Sequence, residues 1–171
     1  MSDERIFGFP PVVGERPRIM ILGSMPSVRS LEETQYYAHP RNAFWRIQAA
    51  LFGEEYTTDY ETRLLRLKRH GIALWDSVAS CVRPGSLDTA ITQAVPNDIP
   101  GLLHENPSIG HIFFNGRASQ QVFLCHHKAV AQRIPTTLLP STSPAAAALT
   151  FEQKLDAWRA ILAALEPQER S

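Results

Sequence analysis

At 171 residues the chain can bury a full core as one domain without disulfides or metal to hold it. Hydrophobic residues make up 44% and charged residues 20% of it, the balance of an ordinary globular protein, and no apolar run approaches the roughly 20 residues that span a bilayer. With 17 basic and 17 acidic residues the net charge is zero, which argues against a passive nucleic-acid coat; an enzyme touching few phosphates needs only a local basic rim. The opening Met1-Ser-Asp-Glu-Arg-Ile6 lacks the apolar core of a secretory signal, so a cytoplasmic protein is expected. Cys81 and Cys125 stand far apart with no Cys-x-x-Cys spacing. That excludes a four-cysteine zinc or iron–sulfur site within the chain and offers no disulfide framework; both read as buried, reduced thiols.

Residues 1–15 read as a loosely held end. Arg18-Ile-Met-Ile-Leu-Gly23 is a buried strand, apolar through both faces as a parallel strand covered by helices should be. Phe44, Ile47, Leu51 and Phe52 mark one helix face. Asp59 caps a second helix running to about His70 and closed by Gly71. Ile72–Asp76 is the next strand. Asp98, before Ile99-Pro100, caps another helix with proline in its first turn. His111–Asn115 and Pro135–Leu139 are further strands. Thr150-Phe-Glu-Gln153 has the form of a capping box, and Phe151, Leu155, Trp158, Leu162 and Leu165 follow as one stripe. Residues 167–171 read as a second loose end. Trp45, Trp75 and Trp158 are assigned to the core. There is no internal repeat and no linker, and Ala145 to Ala148 is the only low-complexity patch. Residues 1–171 are therefore expected to form one α/β domain, a three-layer α/β/α sandwich around a four-stranded parallel sheet.

Each strand ends in polar or turn-forming residues: Gly23-Ser-Met-Pro-Ser27, Asp76-Ser77, Asn115-Gly-Arg117 and Pro140-Ser-Thr-Ser-Pro144. Open parallel sheets bind ligands outside the carboxyl ends of their strands, so these four loops are the expected site. The phosphate fingerprints Gly-x-Gly-x-x-Gly and Gly-x-x-x-x-Gly-Lys-Ser/Thr are absent, which disfavours a nucleotide-binding module. No Gly-x-Ser-x-Gly elbow occurs either, which removes a serine hydrolase. The six histidines show no metal-ligand spacing, and His126-His127 is expected beyond a helix, away from the strand ends. No cofactor or metal is expected.

The strand with Gly23-Ser-Met-Pro26, followed by Tyr37-Ala-His-Pro-Arg-Asn-Ala-Phe-Trp45, resembles the first motif region of the uracil-DNA glycosylase superfamily. Leu139-Pro-Ser-Thr-Ser-Pro144 is similar to its second motif. Together with Phe113-Phe-Asn-Gly116 and Asn97-Asp-Ile-Pro100, the set looks most like the hypoxanthine-DNA glycosylase branch, over residues 17 to 163. The Tyr37–Trp45 run is the specific part; Gly-Ser-Met-Pro alone is weak. Several branches place Asp or Asn two residues after the first glycine, where this chain has Met25. A thioether cannot orient water or take its proton. The resemblance then implies that Asn42 holds the attacking water, as its counterpart in the hypoxanthine branch does; its other reading is a helix cap.

The same resemblance implies the remaining roles. Tyr37 matches the aromatic that sandwiches the flipped base, against a core or rim tyrosine. Asn115 is a candidate for the base's Watson–Crick edge, against an Asn-Gly turn. Ser24, Met25 and Asp76 are further base-binding candidates, Asp76 having a loop or cap role as its alternative. Ser141, Thr142 and Ser143 resemble a phosphate-pinching loop, and Pro144 with the following alanines a small apolar wedge, against a plain turn. Arg41, Arg83 and Arg117 are candidates for the basic rim, against solvated surface charges. His39 reads as a structural lock for its loop. Lys68, Lys128 and Lys154 all fall in helix-like stretches or their flanks, so no amine is offered for a Schiff base and a monofunctional hydrolase is expected. The implied partner is damaged DNA, bound by a monomer that is nucleoid-associated when on DNA. Hypoxanthine is preferred, with uracil or mismatched thymine as the alternative.

Overall fold

The computed structural model describes residues 4–166. Its main sheet carries the strands β2 (Ile19–Gly23), β3 (Ile72–Asp76), β6 (Ile112–Asn115) and β7 (Thr136–Leu139) in the order β3-β2-β6-β7, with every pairing parallel. All five residues of β2 are buried, and their alternation divides the core. Ile19 and Ile21 pack with Phe44, Ile47, Leu67, Trp158 and Ile161, from the helices α2 (Phe44–Leu51), α3 (Tyr60–Arg69), α6 (Phe151–Trp158) and α7 (Ala160–Leu165). Met20 and Leu22 pack on the opposite face with Ile99, Leu103, Phe123 and Val130, from α4 (Ile99–Glu105) and α5 (Arg117–Ala131). Two covered faces explain why these strands are apolar throughout. The three-layer architecture and its four parallel strands are those read from the sequence.

Three caps also stand where expected. Asp59 accepts from Thr62 N–H, Asp98 from Gly101 N–H, and Thr150 forms a complete capping box with Gln153. Gly71, at φ +79°, turns the chain from α3 into β3.

Five readings are corrected. A second, antiparallel sheet of β1 (Arg5–Phe7), β4 (Val78–Val82) and β5 (Thr92–Pro96), ordered β1-β4-β5, flanks the first. Only Ser77 separates β3 from β4, so the apolar run continues while the strand changes sheet. Residues 4–15 are not a loose end: β1 pairs with β4, and Val12 exchanges two backbone hydrogen bonds with Leu74 at 2.8 and 2.9 Å. His126 and His127 lie inside α5, which kinks at His127 (φ −132°, ψ 34°). Cys81 is buried, but Cys125 is exposed on α5. The stripe from Phe151 to Leu165 is two helices, broken at Arg159. Residues 167–171, the other expected loose end, lie outside the described residues. Among those described, no helix is long and apolar enough to cross a membrane.

Trp158 joins the core to the strand-end loops. It is fully buried, meets Phe44 edge-on at 5.8 Å, and donates its indole N–H to Pro140 O at 2.9 Å. Trp158→Ala should cost about 3–5 kcal/mol, measured as a loss of unfolding free energy in urea.

Candidate active site

The loops at the carboxyl ends of β2, β3, β6 and β7 enclose a cleft of about 350 Å³, lined among others by Gly23, Met25, Tyr37, Asn42, Asp76 and Asn115. Ser24 and Ser141 to Ser143 border it as well. Two strand-end loops therefore bring Asn42 and Asn115 to one place.

Tyr36-Tyr37 is held by several contacts. Tyr36 N–H donates to the Tyr60 hydroxyl at 3.0 Å, Trp45 Nε1–H to Tyr36 O at 2.9 Å, and Ala38 N–H to Ser30 Oγ at 3.0 Å. These bonds hold Tyr37 at φ +54°, a left-handed conformation that costs a bulky residue roughly 1 kcal/mol or more. Its ring stacks on Phe44 at 4.1 Å between centroids. The buried Tyr37 hydroxyl makes no hydrogen bond of good geometry and only a weak contact with the Asn115 amide. Burial first, then Asp76, raises its pKa well above the ordinary phenol value.

Asp76 is 4% exposed, and its Oδ2 likewise has no partner. Burial, reinforced by Asp88 and opposed by Arg83, pushes its carboxyl up to about 7. A Cβ on Gly23 would lie 2.5 Å from Asp76 Oδ1 and 2.7 Å from the Tyr37 hydroxyl. Only glycine lets both polar groups crowd over the end of β2.

Asn42 Oδ1 accepts from Phe44 N–H at 2.9 Å, an Asx-type bond across the start of α2, whose N-cap is Ala43 with no side-chain cap bond. That bond leaves one lone pair on the oxygen and the whole NH₂ group for other partners. His39 Nδ1 accepts from Arg41 N–H at 3.1 Å, a lock on the loop as read from the sequence. Asn115, 8% exposed, donates from Nδ2 to Thr142 Oγ1 and accepts at Oδ1 from Thr142 N–H, both at 2.9 Å. Its amide has one hydrogen and one lone pair left.

Other expected site residues sit differently. Thr142 is 1% exposed; its hydroxyl faces Asn115 instead of the surface where a phosphate would lie. Ser141 and Ser143 make turn bonds, from Ser143 N–H to Ser141 Oγ and from Ala145 N–H to Ser143 Oγ, and Pro144 is exposed. Arg83 is no rim residue. It is 5% exposed and donates to Gly85 O and Pro26 O, each at 2.7 Å. Arg41 and Arg117 are exposed, and Arg117 lines a neighbouring groove with Lys154. Ser24 Oγ donates to Asp88 Oδ1 at 2.6 Å, and Met25 is buried with Val78 and Cys81 while still bordering the cleft. Ser86, Leu87, Asp88 and Thr89 form a wall that the sequence reading missed. Its signal was the Arg83-Pro-Gly-Ser86 turn, which carries no mark of function. Among the described residues no group of three or more His, Cys, Asp or Glu is placed to hold a metal.

The family model of the uracil DNA glycosylase superfamily matches residues 10–166. The chain belongs to that superfamily and is a DNA glycosylase. It is similar to the hypoxanthine DNA glycosylase of Methanosarcina barkeri, with 41% identity over 66% of this chain and 72% of that one. The hypoxanthine DNA glycosylase of Methanosarcina acetivorans is 42% identical over 64% and 70%. A solution NMR structure from Methanosarcina acetivorans, described as a proposed uracil DNA glycosylase, superposes with a TM-score of 0.81 and 34% identity. That likeness covers 95% of this chain and 99% of the other.

The folded chain binds a proton at Asp76 more tightly than the unfolded chain, whose carboxyl titrates near the ordinary 3.8. Stability from this group is complete below about pH 4 and falls as pH rises towards 7. Asp76→Asn should flatten that part of the stability–pH curve in thermal melts from pH 4 to 8. Gly23→Ala, by displacing Asp76 and Tyr37, should reduce glycosylase activity at least about tenfold, measured against the melting temperature of the same variant.

Proposed function

We propose that the chain is a monofunctional hypoxanthine-DNA glycosylase that flips the damaged nucleotide into the cleft and hydrolyses its glycosidic bond with a water positioned by Asn42. The observation that carries this reading is the convergence of Asn42, Tyr37, Asp76 and Asn115 on one cleft at the strand ends. The two archaeal hypoxanthine glycosylases support the choice of lesion.

The roles follow from the charges that cleavage creates. The sugar becomes positive and the leaving base negative. The free lone pair of Asn42 Oδ1 holds water on the sugar side without bringing a charge, and the bond from Phe44 N–H fixes the amide for that task. The flipped base stacks on the Tyr37 ring face that Phe44 leaves open. Protonated Asp76 presents one donor and one acceptor, a match for the lactam edge of hypoxanthine, and avoids placing a carboxylate against an anionic leaving group. Asn115 contributes its remaining hydrogen and lone pair. Ser141, Ser143 and Pro144, with exposed Arg41 and Arg117, meet the DNA backbone, while Thr142 holds the loop after β7 from inside and Arg83 braces the Pro26 and Gly85 turns. Lys154 donates to Ser143 O at 3.5 Å and lines the neighbouring groove, so it is not placed for Schiff-base chemistry in the cleft.

Duplexes carrying hypoxanthine, uracil or a G·T mismatch, followed by alkali, test the reading. Strand breaks are expected with hypoxanthine first, and cleavage of none at micromolar enzyme refutes the activity. Asn42→Ser retains a hydroxyl acceptor for Phe44 N–H, so it should unfold within about 1 kcal/mol of the parent yet lose roughly a hundredfold or more in kcat. Full activity in this variant removes the asparagine mechanism. The pH profile gives an independent check: kcat/KM should decline above about pH 7 as Asp76 ionises, and Asp76→Asn should abolish that decline.

A further inference from the structure

A nucleotide that leaves the stack vacates the space of a base, and glycosylases must keep that space from refilling. At the cleft the loop after β7 presents only Ala145 and Ala146 beyond Pro144, and its exposed Leu149 lines the neighbouring groove instead. A methyl group cannot span the gap left by a purine.

The opposite wall is built differently. Among the described residues, Leu87 is the one large, exposed apolar side chain that lines the cleft, at 58% exposure. Its turn is rigid. Arg83 Nε–H donates to Gly85 O at 2.7 Å, Val28 N–H to Ser86 Oγ at 2.9 Å, and Ser24 Oγ to Asp88 Oδ1 at 2.6 Å. Ala90 N–H closes it on Leu87 O at 3.0 Å. Leu87 is thus presented to solvent on a preorganised loop instead of folding onto the core. From Gly85 to Thr89 the turn has no cation, and its one carboxylate, Asp88, is tethered to Ser24. Such a surface suits bases and not phosphates.

We propose that Leu87 is the side chain that enters the duplex and fills the space vacated by the flipped nucleotide, acting from the β4–β5 side while the Ser141–Pro144 loop holds the backbone. This rests on the glycosylase reading above. It assigns the wedge to a segment outside both motifs that carry the family resemblance.

Leu87→Ala, Leu87→Phe and the parent are compared on one hypoxanthine oligonucleotide, single-stranded and in duplex. A single strand needs no gap filled, so Leu87→Ala should lower the ratio of duplex to single-strand kcat/KM by about tenfold or more, and Leu87→Phe should restore most of it. A second readout is independent of turnover: 2-aminopurine beside an abasic site in duplex DNA. Its fluorescence should change on binding the parent and Leu87→Phe proteins but not Leu87→Ala. An unchanged ratio with an unchanged fluorescence response overturns the wedge, as does an equal loss on both substrates. If the parent cleaves hypoxanthine in neither form, the choice of lesion fails, and the fluorescence comparison still decides the wedge.

Discussion

Asn115 and Thr142 exchange two hydrogen bonds, and Thr142 O accepts a third from Ala43 N–H at 3.0 Å. Three strand-end segments meet in that cluster: the end of β6, the turn after β7, and the loop that carries Asn42 into α2. All of it is buried, where a hydrogen bond is stronger and an unmade one more costly than in water. The cluster therefore admits one arrangement of the loops, and the position of Asn42 relative to the cleft is set from behind. Trp158 adds a fourth tie through Pro140 O. The polar chemistry of the cleft rests on a polar network buried beneath it.

That arrangement also explains which parts of the protein were readable from its sequence. The four parallel strands were visible because burial on both faces makes each a short apolar run, and three helix starts because a single side chain caps each one. The flanking sheet was not. β5 is mostly exposed or half-buried, β1 has three residues, and β4 continues the apolar run of β3 across Ser77, whose buried hydroxyl meets Ser119. Pattern alone does not show that a strand changes partners in mid-run.

The candidate site divides along the same line. Tyr37, Asn42, Asp76 and Asn115, named from strand ends and motif residues, all line the cleft. Thr142 and Arg83 were given DNA-facing roles because hydroxyls and guanidinium groups in a loop resemble phosphate ligands, and composition does not reveal which way a loop residue points. Arg83 shows the cost of that ambiguity: buried against two carbonyls, it braces the Pro26 turn and the Gly85 turn together. Tyr37 is the opposite case, since its left-handed backbone has no signature in the sequence and depends on bonds from its neighbours to Ser30, in the short helix α1 (Val28–Glu33), and to Tyr60 in α3.

Two groups in the cleft are poorly satisfied: Asp76 Oδ2 is buried without a partner, and the Tyr37 hydroxyl has only a weak contact with the Asn115 amide. Each costs stability, because a desolvated polar atom forfeits its hydrogen bonds to water. Asp76 pays least when it keeps its proton, and the same neutral form best suits a base that departs with negative charge. Burial opposes a charged carboxylate there and so favours the protonated form of Asp76, the form that the proposed reaction uses. Gly23 makes this possible by leaving room above β2, which places the least conspicuous residue of the first motif at the centre of the electrostatics.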